Sequence, residues 1–299
     1  MEKCAKIIYH KMSLYVLCDI SKRRILMKKK ILSIFFIVMC LSIVFVLASC
    51  GSEEYEPEYM YFGEYPQTIK AQDVTITENQ NEKGYFLGSD GEYYAQVVAA
   101  PCDKENYKFS NGEKIVEGET YYFKVEPIRW KIITKANGTA FVVCDTILAN
   151  QSFDAEKNEY DNSDIREWLN EEFYKTAFSE PEKNSIKKTI VNEDSKESDK
   201  VFLLSDKEAK NEDLLFSTKD KEQEYDVSRQ MSTSDYARAT GVWMTMNEDY
   251  YGNGFWWLRS PASDSDQKAQ YIYYDGYMFS GGIKYDYIGV VPALNINID

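Results

Sequence analysis

The sequence predicts one α+β domain, with antiparallel β-hairpins at both ends and helices in the middle. Three observations support this. The turn dipeptides Asp90-Gly91 and Asn137-Gly138 stand between β-prone runs in the first half of the body. Helix-start signals crowd into residues 164–208. Aromatic, strand-like segments then return from Phe255 to the end. Aromatic residues make up 15% of the chain, with 24 Tyr, which suits strands or an aromatic binding surface.

Taken in order, residues 60–68 open the folded part. Residues 85–98 form a hairpin around Asp90-Gly91. Residues 121–125 read as a strand that runs through Pro127 into 128–133, where apolar and charged residues alternate. Asn137-Gly138 turns it back into 139–143. Asp164 is the expected cap of the first helix, with Glu167 three residues on. Ile165, Trp168, Leu169 and Phe173 fall on one face of it. Ser179, Pro181 and Glu182 repeat the start signal, and Ile186 and Ile190 extend the apolar stripe. Residues 201–204 read as a short buried strand, and Ser205 with Glu208 starts a helix. Residues 207–226 are highly charged and read as exposed loop with some helix. Ser234 caps a helix that Gly241 ends. Residues 255–261 form a strand stopped by Pro261. Residues 269–279 form a hairpin about Asp275-Gly276. Residues 290–298 alternate, and Pro292 marks them as an edge strand or a bulge.

The first sixty residues read as an address. Met27 and Lys28 to Lys30 are followed by an uncharged apolar run, residues 31–48, and then by Leu47-Ala48-Ser49-Cys50. Basic, apolar and small residues in that order make a secretory signal. The last four residues resemble the bacterial lipobox, in which the cysteine receives a diacylglyceryl group. The alternative is an uncleaved membrane anchor, because the run approaches the ~20 residues needed to span a bilayer. Cys50 directly after Leu-Ala-Ser favours the lipoprotein. The expected divisions are 1–26, an upstream extension ahead of a start at Met27; 27–49, the signal peptide; 50–60, an acidic tether; and 61–299, the domain. The protein is then lipid-anchored at Cys50 on the extracytoplasmic side of the cell membrane.

Charge and histidine narrow the chemistry. Nine of the 35 basic residues and two of the 49 acidic ones lie within residues 1–50, leaving 26 basic against 47 acidic residues beyond. A body this acidic repels phosphate backbones, which excludes general nucleic-acid binding. The single histidine, His10, precedes the export segment. The processed body therefore lacks Ser-His-Asp and Cys-His catalysis and His-ligated zinc. Cys102 and Cys144 remain, and export makes a disulfide between them chemically allowed. Cys144 in its apolar strand fits a buried free thiol better.

Six segments in order resemble a domain family of unknown function common in Firmicutes, DUF6273. They are residues 62–68 (FGEYPQT), 127–132 (PIRWKI), 163–170 (SDIREWLN), 201–205 (VFLLS), 256–261 (WWLRSP) and 289–294 (GVVPAL). The resemblance spans about residues 61–299, and Trp256-Trp257-Leu258-Arg259-Ser260-Pro261 is its most specific part. The family usually has arginine where Val291 stands here, so any role of that arginine is lost or taken over by another residue. The order of elements is also similar to the C-type-lectin-like fold of the formylglycine-generating-enzyme group. That group's late active-site cysteines have no counterpart, since no cysteine follows Cys144. The lectin calcium loop is missing as well, so neither activity carries over.

The candidate ligand-binding residues are Trp256, Trp257 and Arg259. Alternation puts Trp256 and Leu258 on one face and Trp257 and Arg259 on the other. They read either as an aromatic platform with a cationic donor or as core tryptophans and an arginine that pins a loop. Trp130 reads as core. Asp264 and Asp266 read as a solvated acidic loop before a calcium site. Asp161, Asp164 and Glu167 could form an acid–base cluster, but helix capping accounts for Asp164 and Glu167 more simply. The tyrosines from Tyr55 to Tyr65 and from Tyr271 to Tyr287 read first as strand residues and second as a sticky surface. No catalytic residue, metal or cofactor is expected. The expectation is a non-catalytic binding domain for an envelope or host glycan or peptide. A carboxylate-dependent glycan hydrolase and a structural envelope component are the alternatives.

Overall fold

A computed structural model describes residues 57–192, 195, 197–216 and 227–298. The signal segment, Cys50 and most of the tether lie outside these residues, as does the second half of the charged stretch 207–226. Among the described residues, no helix is long and apolar enough to cross a membrane. The strands are β1 (Tyr59–Ile69), β2 (Ile76–Gln80), β3 (Phe86–Gly88), β4 (Tyr93–Val98), β5 (Thr120–Ala136), β6 (Thr139–Cys144), β7 (Thr146–Ile147), β8 (Ala149–Asn150), β9 (Ile186–Lys187), β10 (Ser232–Thr233), β11 (Trp256–Pro261), β12 (Lys268–Ile272), β13 (Met278–Gly282), β14 (Gly289–Val290) and β15 (Ala293–Asn297). The fold is mostly β-sheet with a few short helices.

β5 organises the larger sheet, whose order is β2-β3-β4-β5-β6-β15-β9. β1 lies along one edge of β5, while β4 and then β6 share the opposite edge. The β5–β6 turn forms where expected: Asn137 and Gly138 have φ of 50° and 70°, as a two-residue hairpin requires. The β3–β4 hairpin likewise turns at Gly91. β1 begins at Tyr59, two residues before the expected start of the domain. It is bulged at Phe62-Gly63, where Gly63 has φ +68° and a Cβ would stand 2.6 Å from the Phe178 ring. The bulge frees the Phe62 carbonyl to accept from Trp130 Nε1 at 2.7 Å, and Trp130 is core, as expected.

The smaller sheet runs β13-β12-β11-β14-β8, with β11 and β14 parallel. The β12–β13 hairpin turns at Asp275-Gly276, as expected. The final segment departs from expectation. It is split: β14 belongs to the smaller sheet, and β15 lies inside the larger one between β6 and β9. Pro292 interrupts the ladder and lets the chain change sheets, so β15 is an interior strand and not an edge.

The middle is helical, with shorter elements than expected. α1 (Asp164–Trp168) passes through a π-helical turn, Leu169–Phe173, into α2 (Tyr174–Ala177). Its cap is Ser163, whose Oγ accepts from Arg166 N, and not Asp164. Asp164 Oδ2 instead accepts from Ala155 N and ties the preceding loop. Ile165, Leu169 and Phe173 are buried as predicted, and Trp168 partly so. α3 (Glu180–Ser185) has the expected capping box, Ser179 with Glu182. Glu182 also accepts from Gly63 N and so joins α3 to the β1 bulge. Ile186 is buried but lies in β9, and Ile190 is exposed, because the helix stops at Ser185. Ser205 and Glu208 form their reciprocal bonds yet start only a single 3-10 turn, Glu208–Lys210. Residues 201–204 are wholly buried but make one bridge, Phe202 to Ala293, and no regular strand. α4 (Asp235–Thr240) has its Ser234 cap and ends at Gly241 with φ 115°.

Cys102 is exposed, Cys144 is buried, and both are free thiols. Burial pushes the Cys144 thiol far above its ordinary range. Pro57–Asp299 forms one compact unit and contains only these two cysteines. In that unit a thiol reagent is expected to titrate Cys102 quickly and Cys144 only after unfolding. Two equally fast thiols would show that β6 is not closed in solution.

Candidate functional site

β11 was the expected site, and the structure takes it into the interior. Trp256 and Trp257 are both 0% exposed and Arg259 is 5% exposed. Trp256 Nε1 donates to the Arg229 carbonyl at 3.0 Å, and Trp257 Nε1 to the Gln151 carbonyl at 2.9 Å. The two faces of the strand are distinct, as the alternation predicted, but both are covered. Arg259 Nη1 donates to the Leu203 carbonyl at 2.6 Å, and Nη2 to the Val191 carbonyl at 2.8 Å. The Glu208 carboxylate accepts from both terminal nitrogens, at 2.5 and 3.1 Å. Nε donates to Asn192 Oδ1 at 3.3 Å. Every donor direction of the guanidinium is taken, so Trp256, Trp257 and Arg259 offer no surface to a ligand. The ligand-binding expectation for them gives way to the architectural one.

The other carboxylate candidates also serve the fold. Asp264 pairs with Lys268 at 2.9 Å. Asp161 Oδ1 accepts from Asn192, and its carbonyl accepts from Arg166. A concavity of about 350 Å³ is lined by Asp154, Glu156, Glu159 and Asp164. Burial pushes the Asp154 carboxyl up, but N–H bonds from Lys157, Glu156 and Asp164 outweigh it and hold it below its usual range. A general acid needs the opposite shift. Asp199 does have a carboxyl raised by burial, yet it is locked to Arg166 at 2.6 Å. Among the described residues, no group of three or more His, Cys, Asp or Glu is placed to hold a metal ion.

The open surface on the smaller sheet is aromatic. Trp257, Tyr271 and Phe279 lie opposite one another on β11, β12 and β13 and therefore share one face. Exposure rises along this row: Trp257 is buried, Tyr271 partly buried and Phe279 49% exposed. A second group adjoins it. Trp243 stacks on Phe255 at 4.1 Å and 9°, and Phe255 on Tyr273 at 4.3 Å and 19°. Tyr273 lies 5.1 Å from Phe279, and Tyr285 stacks on Tyr287 at 5.0 Å. Gly281 and Gly282 give Tyr285 its seat: a Cβ on Gly281 would stand 3.1 Å from that ring and 3.0 Å from Tyr271. Burial pushes the Tyr271 hydroxyl up to about 12. Burial also raises the hydroxyls of Tyr273 and Tyr287, so these rings are uncharged at neutral pH.

Several tyrosines of residues 271–287 are thus partly exposed beside one another and are not all strand residues. The period-two pairs Tyr271/Tyr273 and Tyr277/Phe279, which flank the turn between β12 and β13, carry the local signal. Trp243, just past Gly241, and Tyr285, in the loop after β13, are brought in by tertiary packing and had no pattern to mark them.

Arg259→Met is expected to lower stability by about 3 kcal/mol, because Glu208 and two buried carbonyls lose their partner. Urea denaturation checks this, and a loss within about 0.5 kcal/mol would remove Arg259 from the centre of the fold.

A family model described as a domain of unknown function (DUF6273) matches residues 137–298, more than half of the chain. The match begins at the Asn137-Gly138 turn and includes the aromatic face. It does not reach the resembling segments at 62–68 and 127–132. No curated protein and no solved structure matches.

Proposed function

We propose that this chain, which belongs to the DUF6273 family, is a lipid-anchored extracytoplasmic protein that binds a glycan on the aromatic face of its smaller sheet. The carrying observation is the layer of exposed Phe279 and Tyr285 and partly buried Trp243, Tyr271, Tyr273 and Tyr287 around buried Phe255. Exposed aromatic groups of this extent mark interaction surfaces. Neutral rings at a sheet surface suit the apolar C–H faces of sugar rings, with tyrosine hydroxyls at the margins for hydrogen bonds. The acidic body favours a neutral ligand over an anionic one at that face. The anchor rests on residues 27–50, whose basic, apolar and small segments end at Cys50. A C-type-lectin-like layout is part of the same reading. It is supported by element order, with β1 and β15 in one sheet and the helices between them in sequence.

A glycan array probed with the compact unit 57–299 tests the ligand. Phe279→Ala with Tyr285→Ala removes the two most exposed rings and is expected to weaken a retained glycan about tenfold or more, or ~1.4 kcal/mol. Unchanged affinity in the double variant, or no glycan retained at all, would sink the proposal. Cys50→Ser is expected to release the protein from the membrane or block its maturation. If the variant stays attached and unprocessed like the parent, the apolar run itself is the anchor.

A further inference from the structure

In a chain dominated by acids, four lysines converge on one cavity. Lys175 on α2, Lys183 on α3, Lys188 just after β9 and Lys200 in the following loop line a space of about 570 Å³. The site is built as well as crowded. Asn170 Oδ1, in the π-helical turn, accepts from the backbone N–H groups of Lys200 and Val201 at 2.7 and 3.3 Å. Its Nδ2 donates to the Val201 carbonyl at 2.9 Å. The loop carrying Lys200 is thereby stitched to the helix. Lys200 Nζ donates to Tyr174 Oη and lies 4.4 Å from that ring, and Lys183 Nζ lies 5.7 Å from the same ring. π-Helical turns recur at functional positions, and this one supplies the residue that fixes the loop.

Among the described residues lining the cavity, positive charge exceeds negative. Lys183 pairs with Glu180, but that carboxylate is 82% exposed and largely screened. The Lys183 hydrogen bond, then the charges of Lys183 and Lys200, hold the Glu180 carboxyl below its usual range. Lys175 and Lys188 have no hydrogen-bond or ion-pair partner among the described residues. Glu171 and Glu180 also line the space, which leaves four positive charges against two negative. Ammonium groups held together in this way repel one another unless an anion joins them.

We propose that this cavity is a binding site for a phosphate-type oxyanion, either free or as the phosphodiester of an anionic polymer. Lysine is a mobile point charge that meets phosphate oxygens from several directions, and a space of this size falls within the ordinary range for ligand pockets. The site is separate from the aromatic face and does not depend on glycan binding there.

Titration calorimetry on the full chain tests it, with inorganic pyrophosphate in one arm and a poly(glycerol phosphate) in the other. Saturable binding that weakens with salt is expected in at least one arm, and which arm responds identifies the source. Lys175→Gln with Lys188→Gln, both exposed and unpaired, is expected to lower affinity about tenfold or more. Lys207→Gln, an exposed lysine elsewhere, should leave affinity unchanged. No saturable binding in either arm overturns the proposal. So does undiminished binding in the double variant, or an equal loss in the Lys207 control.

Discussion

The structure depends on one buried guanidinium. Arg259 leaves β11 and joins strands of chain far apart in sequence: the Val191–Asn192 loop, the Leu203 backbone and the Glu208 carboxylate. Its own N–H donates to the Leu204 carbonyl. The segments it gathers have little regular structure, so their backbone carbonyls need partners that no ladder supplies. One planar group with five donors satisfies several of them at once, and Glu208 neutralises its charge. A lysine offers one nitrogen and cannot reach in these several directions. This explains an arginine directly after two core tryptophans.

The local patterns were legible wherever backbone geometry decides them. Asn137-Gly138, the Ser179–Glu182 capping box and Gly241 all act within a few residues, and each is where the pattern puts it. Gly289 is different. It is squeezed so tightly that a Cβ would stand 2.1 Å from Ile147 Cγ2, a contact across more than 140 residues that no local pattern contains. Arg259 and the tryptophans beside it failed as ligand candidates for the same reason. Alternation tells which side chains share a face, but not whether another layer covers that face. Here Gln151 meets Trp257, residues 191–192 and 203–208 meet Arg259, and the Arg229 backbone meets Trp256, so both faces are covered. The acids were misplaced as caps by one residue at Ser163, because Asp164 was already engaged with Ala155.

The two candidate surfaces differ in kind. The aromatic face is built of uncharged rings from the smaller sheet and its flanking loops and is defined by ring planes. The lysine cavity is cationic, lies on short helices and loops and is defined by where ammonium groups can swing. Affinity at the first depends on desolvating rings and changes little with salt. Affinity at the second is Coulombic and falls as salt rises. A ligand carrying both sugar rings and phosphates is chemically suited to either surface.

The change of sheet at Pro292 also bears on the order in which the molecule becomes solid. Synthesis runs from the amino end, yet β15 fills an interior place between β6 and β9, and β14 joins β11 to β8. Among the described strands, the last in chain order are therefore the ones that finish both sheets. Until they arrive, β6 and β8 each lack a neighbour. A chain caught at that stage is loose and exposes strand edges. Residues 289–297 act as the keystone of the domain, laid last, and the long-range pairings they complete mark it as a slow folder.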